Sequence, residues 1–196
     1  MFSKLHRNRV TPLGDIVAIP LRGAWTGNRG CLHRGEEIVR FHATDLWIVC
    51  ALEFKGWHSE LFRPGRFTWL FFHDEAVAFA AGHRPCALCR RDSYNAYRNA
   101  LGGLSAAQIN KQLHGERIVR GTHQRRVHRV PWRELPDGAF VLDEAPKLVL
   151  GDQLVEWNAG YGARSSRPVT GDARAITPPS SLEVLRAGYP VQIAIA

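Results

Sequence analysis

Hydrophobic and polar positions along the chain alternate in short runs, then change to helical spacing, then return to alternation. The first thirty residues are broken by Pro12, Gly14, Pro20, Gly23, Gly27 and Gly30. That leaves room for one short strand over 15–19 among loops. Strand-like runs follow at 37–41 and 46–54, and in the second Ile48, Cys50, Leu52 and Phe54 share a face. The alternation makes Cys50 a small core residue. Lys55, Gly56, Trp57 and His58 form a turn, Arg63, Pro64 and Gly65 another, and an aromatic strand is expected over 67–72.

Helical signals come next. Asp74 is a good N-cap, residues 75–81 are Ala-rich, and Gly82 suits the left-handed position just past a helix end. A second helix over 91–101 places Tyr94, Tyr97 and Leu101 on one face and stops at Gly102 and Gly103. Ser105 and Gln108 form a capping box for a third helix, ending near Gly115. Residues 117–133 contain six arginines, two histidines (His123 and His128) and no acid, and read as an exposed basic arm. After Pro136, Asp137 and Gly138 the pattern gives strands at 139–142, 147–150 and 153–157, then a loop over 160–172. Ser180 and Glu183 cap a short helix ending at Gly188, and Val191, Ile193 and Ile195 alternate as a last strand. The fold class expected is α+β, with a basic domain at 1–134 and a small β-rich domain at 135–196.

Composition sharpens the division. Of the 196 residues 45% are hydrophobic, enough for a core without disulfide support. No run approaches the roughly 18 apolar residues of a membrane span, and the first residues lack a secretory pattern, so a cytoplasmic location without membrane contact is expected. There the four cysteines are core residues, ligands or reactive thiols rather than a disulfide framework. Net charge is +8, from 26 Lys and Arg against 18 Asp and Glu. From Glu134 onward there are five basic and eight acidic residues, so residues 1–133 carry +11. A surplus confined to one part of a chain is the footprint of a polyanion partner, nucleic acid first of all.

The sharpest motif is His83, Arg84, Pro85, Cys86, Ala87, Leu88, Cys89. A Cys-x-x-Cys turn at a helix start sets two thiolates about 2.3 Å from one zinc ion, with backbone N–H groups offsetting their charge. Thioredoxin-like redox sites share the spacing but follow a strand, whereas this turn joins two predicted helices. The segment 71–90, from Phe71 and Phe72 through Asp74, Ala81, Gly82, Arg84, Pro85, Cys86 and Cys89, resembles the metal-binding module of Ada-type DNA-repair proteins. The resemblance covers about a tenth of the chain. It implies a small zinc domain that docks on DNA, in which one cysteine ligand accepts a methyl group from an alkylated backbone phosphate. The family's upstream Cys-x-x-x-Cys pair is missing here.

Cys31 and His33, after a Gly-containing loop, are the ligands expected to join Cys86 and Cys89, with Cys50 the alternative. Cys31 is then the candidate methyl acceptor by position. Arg84, Arg90, Arg91 and Arg98 flank the knuckle, and Arg117, Arg120, Arg125, Arg126 and Arg129 (with Arg133) lie in the arm; these are the expected DNA phosphate contacts. Trp132, beside the arm, is the one tryptophan considered for base stacking. Two other functions fit the composition. A metal-dependent nuclease would draw on His33, His73, His83, His114, Asp74 and Glu75. A zinc-stapled adaptor would use the ion only to hold a protein-binding surface. Oligomeric state is left open.

Overall fold

The computed structural model describes residues 5–57 and 60–195; His58, assigned above to a turn, and Met1 to Lys4 lie outside the described residues. The chain is mixed α+β. Its strands and helices run β1 (Arg9–Val10), β2 (Ile16–Val17), β3 (Trp25–Asn28), β4 (His33–Arg34), β5 (Glu37–Ile38), β6 (Ile48–Cys50), β7 (Leu70–Phe72), α1 (Glu75–Ala80), β8 (Arg84–Pro85), α2 (Arg91–Ala100), α3 (Ala106–Arg117), β9 (His128–Pro131), β10 (Phe140–Leu142), β11 (Pro146–Leu150), β12 (Gln153–Trp157), β13 (Tyr161–Ser166), β14 (Asp172–Ala175) and α4 (Pro179–Arg186). One six-stranded sheet has the order β2-β1-β7-β3-β6-β8 and a second the order β13-β12-β11-β10-β14-β9; β4 and β5 form a small hairpin. No helix among the described residues is long and apolar enough to cross a membrane.

The molecule is organised around α1. All six of its residues are buried, and it is apolar on every side after Glu75, the pattern of a helix enclosed by core rather than lying on it. Ala78 packs with the first sheet, through Val10, Val49, Leu70 and Phe72. Ala76, Val77 and Ala80 pack with the second, through Phe140, Leu148, Val155 and Trp157. Phe79 joins Tyr97, Ile109 and Leu113 of α2 and α3 to Val141, Val149 and Leu182. The division expected at 135 therefore falls between two strands of one sheet, β9 and β10, and apolar clusters run across it.

Capping was legible in the sequence. Asp74 accepts from the Val77 N–H at 2.8 Å, and Gly82 has φ +84° just past the helix. Tyr94, Tyr97 and Leu101 are buried as expected. Both halves of the Ser105–Gln108 capping box are present, and α3 runs past Gly115 to Arg117. Elsewhere the pattern needs correction. The basic arm is a short reversal closed by an Ile118–Arg125 bridge, followed by β9 in the second sheet. The loop over 160–172 contains β13, an exposed edge strand whose residues carry no apolar alternation. Val191, Ile193 and Ile195 form no strand and instead cover the cluster under α1.

Candidate metal centre and surrounding surfaces

Two short parallel strands build the centre. In β6 and β8 Ile48 lies opposite Arg84 and Val49 opposite Pro85, and the Cys86 N–H donates to the Val49 carbonyl at 2.9 Å. Matched register brings the residue after each pair, Cys50 and Cys86, side by side. The turn then folds back, with the Arg90 N–H on the Cys86 carbonyl at 3.1 Å, and delivers Cys89. The sulfurs of Cys50, Cys86 and Cys89 all lie within 4.8 Å of one another. Thiolates around one zinc ion at about 2.3 Å stand about 3.8 Å apart, so small side-chain movements close this trio on an ion.

The donor set fits a metal. The Leu88 N–H points at the Cys86 sulfur at 3.4 Å. Hydrogen bonding from Cys50, opposed by burial and helped by the N–H groups of Cys89 and Leu88, draws Cys86 down to about 5. Cys89 is also lowered, first by Cys50 and then by the Ala51 N–H, while Cys50 itself is pushed up by its hydrogen bonds to Cys86 and Cys89 and by burial. Arg84, whose pKa is lowered by burial against the opposing influence of Tyr94 and Cys86, places a positive charge beside the trio.

Cys50 is the correction to the expected core assignment. Trp47 and Val49 are the buried residues of this stretch, and Ile48, Cys50, Leu52 and Phe54 face a cleft of about 200 Å³. Across it stand Trp57, Phe67 and Trp69, with Cys86, Leu88 and Cys89 at its floor. Trp57 is 61% exposed and Leu88 52%, so the sulfurs open into an apolar, aromatic entrance. Alternation alone gives two faces of a strand and not which one is core; the pairing of β6 with β8 that turns Cys50 toward the cleft has no local signal in the sequence.

Cys31 and His33 are not brought to this centre; among the described residues only Cys50, Cys86 and Cys89 form such a group. His33 is engaged at both nitrogens, with Thr68 Oγ1 at 2.6 Å and the Arg63 carbonyl at 3.2 Å, which leaves no lone pair for an ion. The Cys31 sulfur lies 3.9 Å from the His33 carbonyl. The histidines and carboxylates considered for a nuclease are likewise dispersed. Asp74 caps α1 and accepts from Tyr161 Oη at 2.6 Å; Glu75 pairs with Arg90 at 2.6 Å; His83 is wholly buried.

Several of the expected phosphate contacts are internal. Arg84 donates to Asn110 Oδ1 at 2.8 Å and to the Pro85 carbonyl at 2.9 Å. Arg90 lies between Glu75 and the Trp25 ring, 3.9 Å from its centroid. Arg117 donates to the Gly82 and Asp45 carbonyls at 2.9 and 2.6 Å, and Arg125 to the carbonyls of Ala80, Ala81 and Ile176. Arg91, Arg120 and Arg126 are exposed. Arg98 is half-buried and donates to the Leu104 carbonyl at 3.1 Å; Arg129 is exposed and pairs with Asp172 at 3.2 Å. Trp132 sits in a 3₁₀ turn against the cluster that includes α2 and α3.

No protein-family model, curated protein sequence or solved structure matches the chain.

Proposed function

We propose that this is a zinc-binding protein that docks on nucleic acid, DNA being the expected polymer, in repair or damage response. The observation that carries the reading is the convergence of three thiols from β6 and the Cys-x-x-Cys turn. Zinc held there by Cys50, Cys86 and Cys89 ties the edge of the first sheet to the start of α2. The Asp74-capped helix, left-handed Gly82 and knuckle occur in the order that the Ada resemblance implies. Arg91 and Arg120, with Arg126, whose Nε also donates to the Ile118 carbonyl at 2.9 Å, are the arginines left for phosphate contact, and Trp57 and Phe67 offer exposed rings on which a base can stack. The test is zinc per chain together with DNA affinity as a function of salt. Zinc should bind at one per chain and be lost in Cys50→Ser and Cys86→Ser but kept in Cys31→Ser. Removing Arg120 should flatten the dependence of log affinity on log salt by about 0.9 if its phosphate contact is real. A protein that binds zinc but shows no salt-dependent DNA affinity would sink the nucleic-acid half alone.

The thiolate-rich donor set and its apolar entrance favour a second reading, self-alkylation. When bound, zinc keeps thiolates deprotonated yet nucleophilic. A sulfur of the trio would attack the methyl carbon of a phosphotriester, forming S–C as C–O breaks and the phosphodiester leaves with the bonding pair. Cys31, remote from the trio, is replaced as acceptor by Cys50, Cys86 or Cys89. Incubation with methylated DNA should add one methyl group to a peptide containing one of these; no mass gain removes this reading.

A further inference from the structure

A second concentration of chemistry lies apart from the thiols. The last turns of α3, the reversal at 119–124 and residue 42 enclose a cleft of about 500 Å³. Its ionisable lining is His42, Lys111, His114, Arg120, His123 and Arg126, with no carboxylate among the lining residues. The His42 ring lies 5.1 Å from that of His114 and 6.0 Å from that of His123, centroid to centroid. Beneath them the positive charge continues into the core. Arg117, 1% exposed, donates to His114 Nδ1 at 3.0 Å and stacks 3.9 Å from the Trp47 centroid. With Nδ1 accepting, a neutral His114 carries its proton on Nε2 and is a donor there. Arg29 stacks on the same indole at 4.1 Å, and its two terminal nitrogens are buried without partners. Arg125 lies half-buried nearby. The acids facing this group are Asp15, toward Arg29 and Arg125, and Asp45, toward Arg117 and His114. Two buried guanidiniums and the half-buried Arg125 thus face two exposed aspartates. Buried cations stripped of water and incompletely paired are costly, and their field is focused into the nearest low-dielectric opening.

We propose that this cleft is a phosphate-binding site, built to take a phosphate group of a nucleic-acid strand or of a free phosphorylated small molecule. The strand form of the proposal rests on the nucleic-acid reading above; the free-phosphate form does not. Lys111, Arg120 and Arg126 supply charge at the mouth, the three imidazoles supply donors, and the guanidiniums beneath supply a field opposed only by the exposed Asp15 and Asp45. His42 and His114 gain charge when an anion arrives. Burial and the surrounding His114, Arg117, His123 and Arg29 hold His42 below its ordinary pKa, and burial and Arg117, against Asp45, do the same to His114. A bound phosphate reverses the balance, so binding takes up protons and strengthens as pH falls.

The experiment is calorimetry of the full chain with two probes, inorganic pyrophosphate and a short single-stranded oligonucleotide. Each is titrated at pH 8 and pH 6 in two buffers of different ionisation enthalpy. Both probes should bind more tightly at pH 6, with proton uptake. The exposed double substitution Arg120→Ala with His123→Ala should weaken both at least tenfold. Arg164→Ala, which removes one charge from β13, should leave both within twofold. Pyrophosphate bound and oligonucleotide ignored would keep the cleft and sink the nucleic-acid reading. Oligonucleotide bound equally by wild type and double variant, with pyrophosphate ignored, would overturn the cleft and leave the nucleic-acid reading standing. Equal weakening by Arg164→Ala would also overturn it, since general charge would then account for binding.

Discussion

At the residue scale the molecule is unusual in what it does with arginine. Residues whose composition suggests a solvated, phosphate-seeking surface are spent in part on holding the interior: Arg117 and Arg125 clamp carbonyls at and beyond the end of α1, and Arg90 neutralises Glu75 beneath it. Sequence reading cannot separate these from Arg120 or Arg126, because charge alone carries no information about which carbonyl or carboxylate will be opposite. Replacing Arg90 by Ala should therefore cost stability: the Glu75 carboxylate would keep Tyr189 Oη and the Gln192 N–H but lose its cation, a loss of about 3–5 kcal/mol for a broken buried pair. Urea denaturation reads this, and a drop in DNA affinity with unchanged stability would contradict it. His83 gives a pH prediction. Burial first, then Arg29, Arg117 and Arg125, holds it well below its ordinary pKa, so the native state keeps it neutral. The unfolded state takes up that proton as pH falls through about 6.5, so stability is present above that value and is lost below it, at up to about 1.4 kcal/mol per pH unit. His42 and His114 act in the same direction, more weakly where water screens them. His83→Gln, which keeps an acceptor for Arg29, should flatten the decline in stability between pH 7 and 5.

Among the elements, those with a local signature were legible. Caps and a left-handed glycine located α1, apolar spacing located α2, a capping box located α3, and β10, β11 and β12 stand where alternation put them. Half of the metal centre was equally legible, because the spacing of Cys86 and Cys89 is a local fact. Cys50 was not, since its place depends on the parallel pairing of β6 with β8, a contact between segments more than thirty residues apart. The same non-local pairing makes a prediction. Gly27 in β3 pairs with Val49 of β6, and a methyl group there would meet the Ile48 carbonyl and lie 2.9 Å from the Phe72 ring. Gly27→Ala should push β6 outward and lower zinc affinity while every thiol remains. Zinc retained at wild-type affinity would show that the centre does not depend on that strand spacing.

For the whole molecule the two sheets differ in what they would owe to an ion held by the three thiols. The thiols sit at the β6–β8 edge of the first sheet, and no cysteine lies in the second. Stripping the metal with a chelator should raise amide exchange in 48–51 and 84–90 first, leave β11 and β12 protected, and lower the thermal midpoint; uniform loss of protection would mean that the ion holds the entire fold. The histidine-rich cleft belongs to this scale too, since it is assembled from residue 42, α3 and the reversal after it. The buried helix has a consequence in time as well as in space. The amides of Gln192 and Ala194, which donate to Glu75 and Asp74, stand 117 and 120 positions further along the chain. At translation rates of about 5–20 residues per second, those carboxylates leave the ribosome on the order of ten seconds before their partners exist. Until then the central helix has no lid over its acidic end, so its enclosure waits on residues 192 and 194 and does not follow from the first sheet alone.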